Sequence, residues 1–433
     1  MATIKHSGLG AIPGAKGVTF RVWAPHAEKV YVTGTFNDWS KTSTPLASEK
    51  NSYWSSEVSE AKPGDEYRYT IHAPVDWKLP PLSRIDPYAR KVTTSKGKGI
   101  IYNPKAFNWG RDQFKMPTGN ELVIYEMHIG TFNVKEKGHP GTFDSAIERF
   151  TYLKELGINA VEVMPVAEFS AEFSWGYDPS HPFAVESVYG GPDAFKRFVK
   201  AAHEHGFAVI VDVVYNHFGP SDLDLWQFDG WSENEKGGIY FYNDRRSHTP
   251  WGETRPDYGR GEVRQYICDN ALMWLEEYHA DGLRWDMIVF IKSIDGNVGN
   301  PANDIPDGWS LMQWINVEIQ QRFPGKISIA EGADINAQDK NGATPLILAA
   351  NANNTEVAEL LIAKGADINV KDKNSNTLLH WAASKGYMKV AELLIAKGAN
   401  ISEKNKAGKT PLQLAESNNH KEVADLLKKH GGK

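Results

Sequence analysis

The 433-residue sequence predicts a multidomain protein: an N-terminal all-β sandwich, a parallel β/α domain of the barrel type, and a C-terminal all-α repeat array. Three observations predict it. Residues 18–71 alternate apolar and polar side chains in the two-residue period of strands. Residues 122–331 alternate continuous apolar strands with helical patterns. From residue 332 the chain repeats itself every 33 residues.

The sandwich rests on "VTFRVWAP", "KVYVTGTF", "SYWSSEV" and "EYRYTI", separated by turns rich in Gly, Pro, Asn and Asp, and it is expected over residues 1–105. Residues 106–331 follow. There "LVIYEMHIG" leads to the helix "DSAIERFTYLKELG", and "INAVEVMPV" to "PDAFKRFVKAAHEHG". "FAVIVDVVYNH" leads through a long loop to "EVRQYICDNALMWLEEYHA", and "DGLRWDMI" to "GWSLMQWINVEIQQRF" and then "KISIAE". Continuous apolar strands with helices between them imply a parallel sheet covered by helices. In such barrels, reactive side chains sit at the C-terminal ends of the strands. At residue 332 the composition shifts. The tail has no Phe, no Arg and only one Trp, Trp381, and its three repeats start at Gly332, Gly365 and Gly398.

Composition narrows the function classes. The net charge of −6, with no basic cluster, gives no reason to expect a nucleic-acid partner. No apolar run has signal-peptide or membrane-spanning length, and a single cysteine, Cys268, suits a reducing cytoplasm without disulfides. Fourteen tryptophans suit either a large aromatic core or flat platforms for sugars.

Candidate chemistry gathers at the strand ends. In "DGLRWD", Arg284 and Asp286 are two apart and share a face, where the cation keeps the carboxylate ionised as a nucleophile requires. A structural ion pair is the other reading of that hexapeptide alone. "DVVYNH" places Asp212, Asn216 and His217 at the end of the preceding strand, "SIAE" places Glu331 at the end of the following one, and "FSWGYDP" places Trp175 and Tyr177 in a loop.

Together these motifs resemble, in family order, those of the α-amylase superfamily (glycoside hydrolase family 13), and in particular its α-1,4-glucan branching enzymes and their trehalose-releasing relatives. The resemblance covers residues 1–331 and implies a TIM-type (β/α)8 barrel and a retaining mechanism on an α-1,4-glucan such as glycogen or starch. Asp286 is then the nucleophile and Glu331 the acid/base. Arg284 positions Asp286, His217 hydrogen-bonds the reacting sugar, Tyr177 stacks beneath it, Trp175 lies nearby, and Asp212 and Asn216 support the site. Neither a cofactor nor a metal is implied by the residues present. "FRVWAPHAEKVYVTGTFNDW" resembles a family 48 carbohydrate-binding module. Trp39 and Trp54 are its candidates for sugar stacking or for its core, and the module either binds glucan or braces the barrel. "TPL" at Thr344 and Thr410 and "TLLHWAA" at Thr377 resemble the ankyrin signature, which implies a protein partner for residues 332–433.

The family pattern continues past this glutamate with three more strands and a His-Asp pair whose aspartate stabilises the transition state. Here repeats follow instead, so a partial barrel of about five strands is expected, with impaired activity. The join directly after a fifth-strand carboxylate points to a fusion, recombination or assembly event. Glu331 also has a bland reading, as repeat filler, because Lys364 and Lys397 occupy its place before the later repeats. "KISIA" before it is unlike a repeat and favours the catalytic origin. Two functions remain: a glucan-acting enzyme of the branching type, or a non-catalytic adaptor that holds glucan and a protein.

Overall fold

The computed structural model describes residues 8–432 except 118–120, 172, 220–221, 298–299, 332–335, 337–341, 352 and 364. The chain separates into two compact units, Met1–Gly332 and Ala333–Lys433.

The first unit opens with eight strands: β1 (Gly10–Gly14), β2 (Gly17–Trp23), β3 (Lys29–Gly34), β4 (Pro45–Ser48), β5 (Tyr53–Val58), β6 (Glu66–His72), β7 (Leu82–Arg84) and β8 (Gly99–Ile100). They form one hydrogen-bonded path, β1-β2-β5-β4-β3-β6-β7, with β8 on β6, rather than two separate sheets. The reason lies in β4. Its Pro45 and Leu46 pair with β3, and its Ala47 and Ser48 pair with β5. A strand that changes partner in mid-course makes a corner, and the path folds over on itself there. Phe20 of β2 meets Tyr67 of β6 edge-on at 5.2 Å although three strands separate them in the path. The alternating inward residues Val18, Phe20, Val22, Val30, Val32, Tyr67, Tyr69 and Ile71 are buried between the two layers.

Side chains of these strands and of the segment after them reach the next domain. Arg68 pairs with Asp224 at 2.6 Å, His26 with Asp229 at 2.9 Å, and Arg90 with Glu277 at 3.1 Å. Arg84 donates to the carbonyls of Gln227 and Phe228.

The barrel-type domain holds five parallel strands among the described residues: β9 (Ile124–Met127), β10 (Ala160–Val163), β13 (Ala208–Val213), β14 (Gly282–Trp285) and β15 (Ile327–Ala330), in the order β15-β14-β13-β10-β9. An antiparallel hairpin outside the strand–helix alternation, β11 (Ala167–Phe169) with β12 (Pro179–Val185), follows β10. Helices Gly191–His205, Gly261–Glu276 and Pro306–Arg322 connect the later strands. The expected first helix is broken into Phe143–Ile147 and Phe150–Glu155. Asn133 Nδ2 donates to the Ser145 carbonyl, which a continuous helix would offer to Arg149. Arg149 N–H turns to Ala146 instead.

Alternation decides the two faces of this sheet. Val161, Val163, Val209, Val211 and Leu283 pack in the main core with Phe198, Ile267 and Ile315 of the helices. On the other face Ala160, Ala208 and Ile210 form a second cluster, against which Phe114, Met116, Leu122, Ile327 and Ile329 pack. No described strand pairs with the outer edge of β9 or of β15.

The second unit shows three helix pairs: Pro345–Asn351 with Thr355–Ala363, Leu378–Lys385 with Met388–Ala396, and Pro411–Ser417 with Lys421–Lys429. The first helix of the third pair starts with a capping box, in which Thr410 Oγ1 accepts from Gln413 N–H and Gln413 Oε1 accepts from Thr410 N–H. In the second pair His380 takes the glutamine's part, and its Nε2 reaches the Lys409 carbonyl at 3.0 Å, tying adjacent repeats. Between the pairs Leu346, Ala350, Leu378, Leu394, Ala415 and Leu427 are fully buried.

Candidate active site

Parallel pairing in register places Asp212 of β13 beside Arg284 of β14. Asp286 stands one residue beyond β14 and donates its N–H to the Val213 carbonyl; Glu331 stands one residue beyond β15 and donates to Trp285. The three carboxylates meet around the Arg284 guanidinium. Arg284 Nη1 lies 2.8 Å from Asp212 Oδ2 and 3.0 Å from Asp286 Oδ1, and Nη2 lies 2.8 Å from Glu331 Oε2. Burial works against the Arg284 charge, but Asp212, Tyr177 and Glu331 outweigh it and its pKa is raised.

Each partner is fixed from a second side. Tyr177 donates its hydroxyl to Asp212 Oδ2 at 2.7 Å. Burial pushes the Asp212 carboxyl up to about 7 against the pull of Arg284, and its Oδ1 is enclosed without a hydrogen bond among the described residues. Asn216 Nδ2 donates to both Asp286 Oδ2 and the Asp286 carbonyl, at 2.8 and 2.9 Å. Burial raises the Asp286 pKa, Asn216 and Arg284 oppose the rise, and the neighbouring Glu331 adds to it. Met287 has φ 40°, a left-handed backbone that a bulky residue rarely adopts. In that conformation its N–H lies 3.0 Å from Glu331 Oε2.

His217 is buried with Nδ1 on the Asn216 amide oxygen, and burial pushes its pKa down to about 4. It is therefore a neutral ring near pH 7. The indole of Trp251 stacks on it at 4.6 Å and 13°. Gly176 lets the loop turn between Trp175 and Tyr177. Its φ is 88°, and a Cβ there would lie 2.2 Å from the Pro165 carbonyl oxygen.

Asp212, Asn216, Tyr177, Arg284, Asp286, His217 and Glu331 thus converge as one group. Trp175 does not join them and stands 72% exposed, as does Phe173 at 62%. Trp39 and Trp54 lie in the β-module. The Trp54 indole donates to the Ala24 carbonyl at 3.0 Å and its ring packs against the core, while Lys98 Nζ sits 4.5 Å from the centre of the Trp39 ring. Sequence reasoning missed Glu162, whose Oε1 lies 4.0 Å from Arg284 and whose pKa is raised by burial. A carboxylate inside the apolar strand "AVEV" was its signal. Trp251 was missed too, and only a Trp in the loop "HTPWGE" marked it. Among the described residues no group of His, Cys, Asp and Glu has the arrangement of a metal site, and no helix is long and apolar enough to cross a membrane.

The C-terminal ends of parallel strands are where β/α barrels carry their reactive groups, and glycoside hydrolysis is one chemistry that uses a pair of carboxylates. Comparison with known proteins agrees. Residues 8–89 match the carbohydrate-binding module 48 (isoamylase N-terminal domain), residues 88–246 match the alpha amylase catalytic domain, and residues 325–405 and 360–433 match ankyrin repeats. The chain therefore joins a family 48 module, an α-amylase catalytic-domain segment and ankyrin repeats.

Among curated relatives it is 32% identical over 351 residues to the 1,4-alpha-glucan branching enzyme GlgB of Salinibacter ruber, covering 76% of this chain and 55% of that one. It is 36% identical over 294 residues to the malto-oligosyltrehalose trehalohydrolase of Saccharolobus solfataricus, covering 67% and 47%. A crystal structure of a putative alpha amylase from Salmonella typhimurium superposes with a TM-score of 0.60 at 28% identity, covering 80% and 56%. The chain spans about half the length of the curated relatives it matches.

Proposed function

We propose that residues 106–331 derive from a retaining, α-1,4-glucan-acting enzyme of the branching type, preceded by a glucan-binding module over 1–105 and followed by ankyrin repeats over 332–433. Asp286 is its nucleophile and Glu331 its acid/base. The observation that carries this reading is the shared guanidinium: Arg284 touches both carboxylates, at 3.0 and 2.8 Å. Such sharing suits a retaining pair, whose carboxyl groups stand about 5–5.5 Å apart. Asp286, hydrogen-bonded by Asn216 and Arg284, attacks the anomeric carbon in its ionised form. Glu331 protonates the departing glycosidic oxygen and then activates the acceptor, either water or a glucan hydroxyl. Neutral His217 and Tyr177 bind the reacting sugar, and the exposed Trp175 offers a face to a further one.

We further propose that the 433-residue chain binds glucan but turns it over little. Glu331 follows directly on the outermost strand with its side chain 40% exposed, and its oxygen is engaged by Arg284 and Met287 N–H. β15 is held from one side alone, by β14, and no described strand braces its outer edge. Such a chain works as an adaptor, with glucan on one unit and a protein on the other. Affinity electrophoresis in a glycogen-containing gel tests the binding. Retarded migration relieved by free maltooligosaccharide is the expected result, and mobility unchanged by glycogen rejects it.

A further inference from the structure

We propose that the face around Trp381 and Leu348, edged by the lysine-bearing turns of the second and third repeats, docks an acidic peptide segment of a partner protein; this rests on reading the repeats as a protein-binding unit. Ile347, Leu348 and Asn351 of the first helix, Asp372 and Lys373 of the following turn and Trp381 of the next repeat line a depression of about 500 Å³.

Three independent features describe what fits there. The first is apolar: Leu348 is 53% exposed although it lies in the middle of its helix, beside the half-buried Trp381 ring. The second is a missing acceptor. Trp381 Nε1 is shielded from solvent and has no hydrogen-bond partner among the described residues. An indole N–H can only donate, and shielded ones usually find an oxygen, so the occupant of this face brings one. The third is charge. Residues 333–433 contain 14 lysines against 11 acidic residues, in a chain whose net charge is −6.

The lysines are mounted on one edge. Lys406 N–H donates to the Asn374 carbonyl at 2.9 Å and Asn405 Nδ2 to Asn376 Oδ1 at 2.9 Å, which joins the tips of the two turns. Lys373, Lys406 and Lys409 are exposed on those tips and form no ion pair among the described residues. The acidic groups on this face, Asp372 in the lining and Glu403 beside it, are already engaged. Asp372 Oδ1 accepts the N–H groups of Asn374 and Asn376, both at 2.8 Å, and Glu403 pairs with Lys371 at 2.8 Å. An acidic peptide supplies all three complements: carboxylates for the lysines, a carbonyl for the indole, and an apolar side chain for Leu348. A nucleic acid supplies only the first two, and the array offers it no arginine.

Fluorescence anisotropy with the full 433-residue chain tests the assignment. The probes are fluorescein-labelled peptides of repeating Glu-Glu-Leu-Glu, Gln-Gln-Leu-Gln and Lys-Lys-Leu-Lys, with labelled oligo-dT beside them. The acidic peptide is expected to bind about tenfold more tightly than the neutral one and to weaken as salt rises. Lys373→Glu combined with Lys406→Glu should erase that preference. Trp381→Phe, which keeps an aromatic ring and removes the N–H, should weaken binding by roughly threefold to tenfold. Circular dichroism confirms that both variants stay folded. Equal affinity for the three peptides, or indifference to both variants, overturns the proposal. Capture of the neutral peptide alone, still dependent on Trp381, overturns the acidic assignment and leaves the repeats a protein-binding unit. Failure of the folded chain to hold any peptide overturns both readings, and tighter binding of oligo-dT replaces the partner class.

Discussion

Arg284 is the residue on which the candidate site depends, because three carboxylates share it and Glu162 approaches it. Removing one partner of a buried ion pair strands the others, at a typical cost of about 3–5 kcal/mol. Arg284→Met should therefore lower the urea midpoint strongly. Adding Asp212→Asn should recover part of the loss, because it removes one of the stranded charges; a double variant no more stable than the single one contradicts the shared-cation account. Trp54→Phe is a milder case. It removes the indole hydrogen bond to Ala24 and should cost about 1 kcal/mol while leaving glycogen binding intact, whereas Trp39→Ala should weaken it. The spacing "DGLRWD" made the Arg284–Asp286 pair legible, since two residues on one strand share a face. The Trp251–His217 stack was not legible, because nothing local to either residue dictates a contact across 34 positions of loop.

The hairpin β11–β12 flanks the loop that carries Trp175 and Tyr177, and it encloses two buried carboxyl groups. Burial, and then the neighbouring Glu186 charge, push Glu168 up to about 8; burial likewise pushes Glu186 up to about 7. Glu168 accepts from Ser187, and Glu186 from Val188 and Phe169. An unfolded glutamate titrates near 4.5, so between that pH and about 8 the folded chain holds more protons than the unfolded one. Stability from this pair is full below the unfolded value and is lost as pH rises through the folded ones. Glu168→Gln should raise the melting temperature at pH 8 by a few degrees and leave it nearly unchanged at pH 4.5. An equal effect at both pH values rejects the assignment. The long, periodic helices were visible in the sequence as the 3.6-residue pattern. The hairpin was not, because prolines punctuate "PSHPFAV" and its partner has only three residues. The break in the first helix was hidden for a different reason: it depends on Asn133, twelve residues upstream of the carbonyl it takes.

At the scale of the whole chain, the composition shift at residue 332 and the 33-residue period marked the second unit clearly. The corner in β4 was not marked, because a four-residue strand has no pattern that says it will change partners. Within the repeats the buried leucines and alanines pack helix pair on helix pair, so residues 333–433 should fold when expressed alone, with strong helical circular dichroism and a cooperative melt. A disordered spectrum contradicts that independence. The first unit poses the harder question, since it brings the candidate residues together on a sheet whose two outer edges pair with no described strand. Small misplacements of reacting groups can cost about a hundredfold in rate, and a site that lacks one preorganised charge loses about as much again or more. The direct test incubates the purified 433-residue chain with amylose, following iodine colour for branching and reducing ends for hydrolysis, beside an Asp286→Asn control. The account predicts turnover equal to that control although glycogen is still bound; turnover clearly above it would contradict the account and show that Asp286 and Glu331 are held at a working distance.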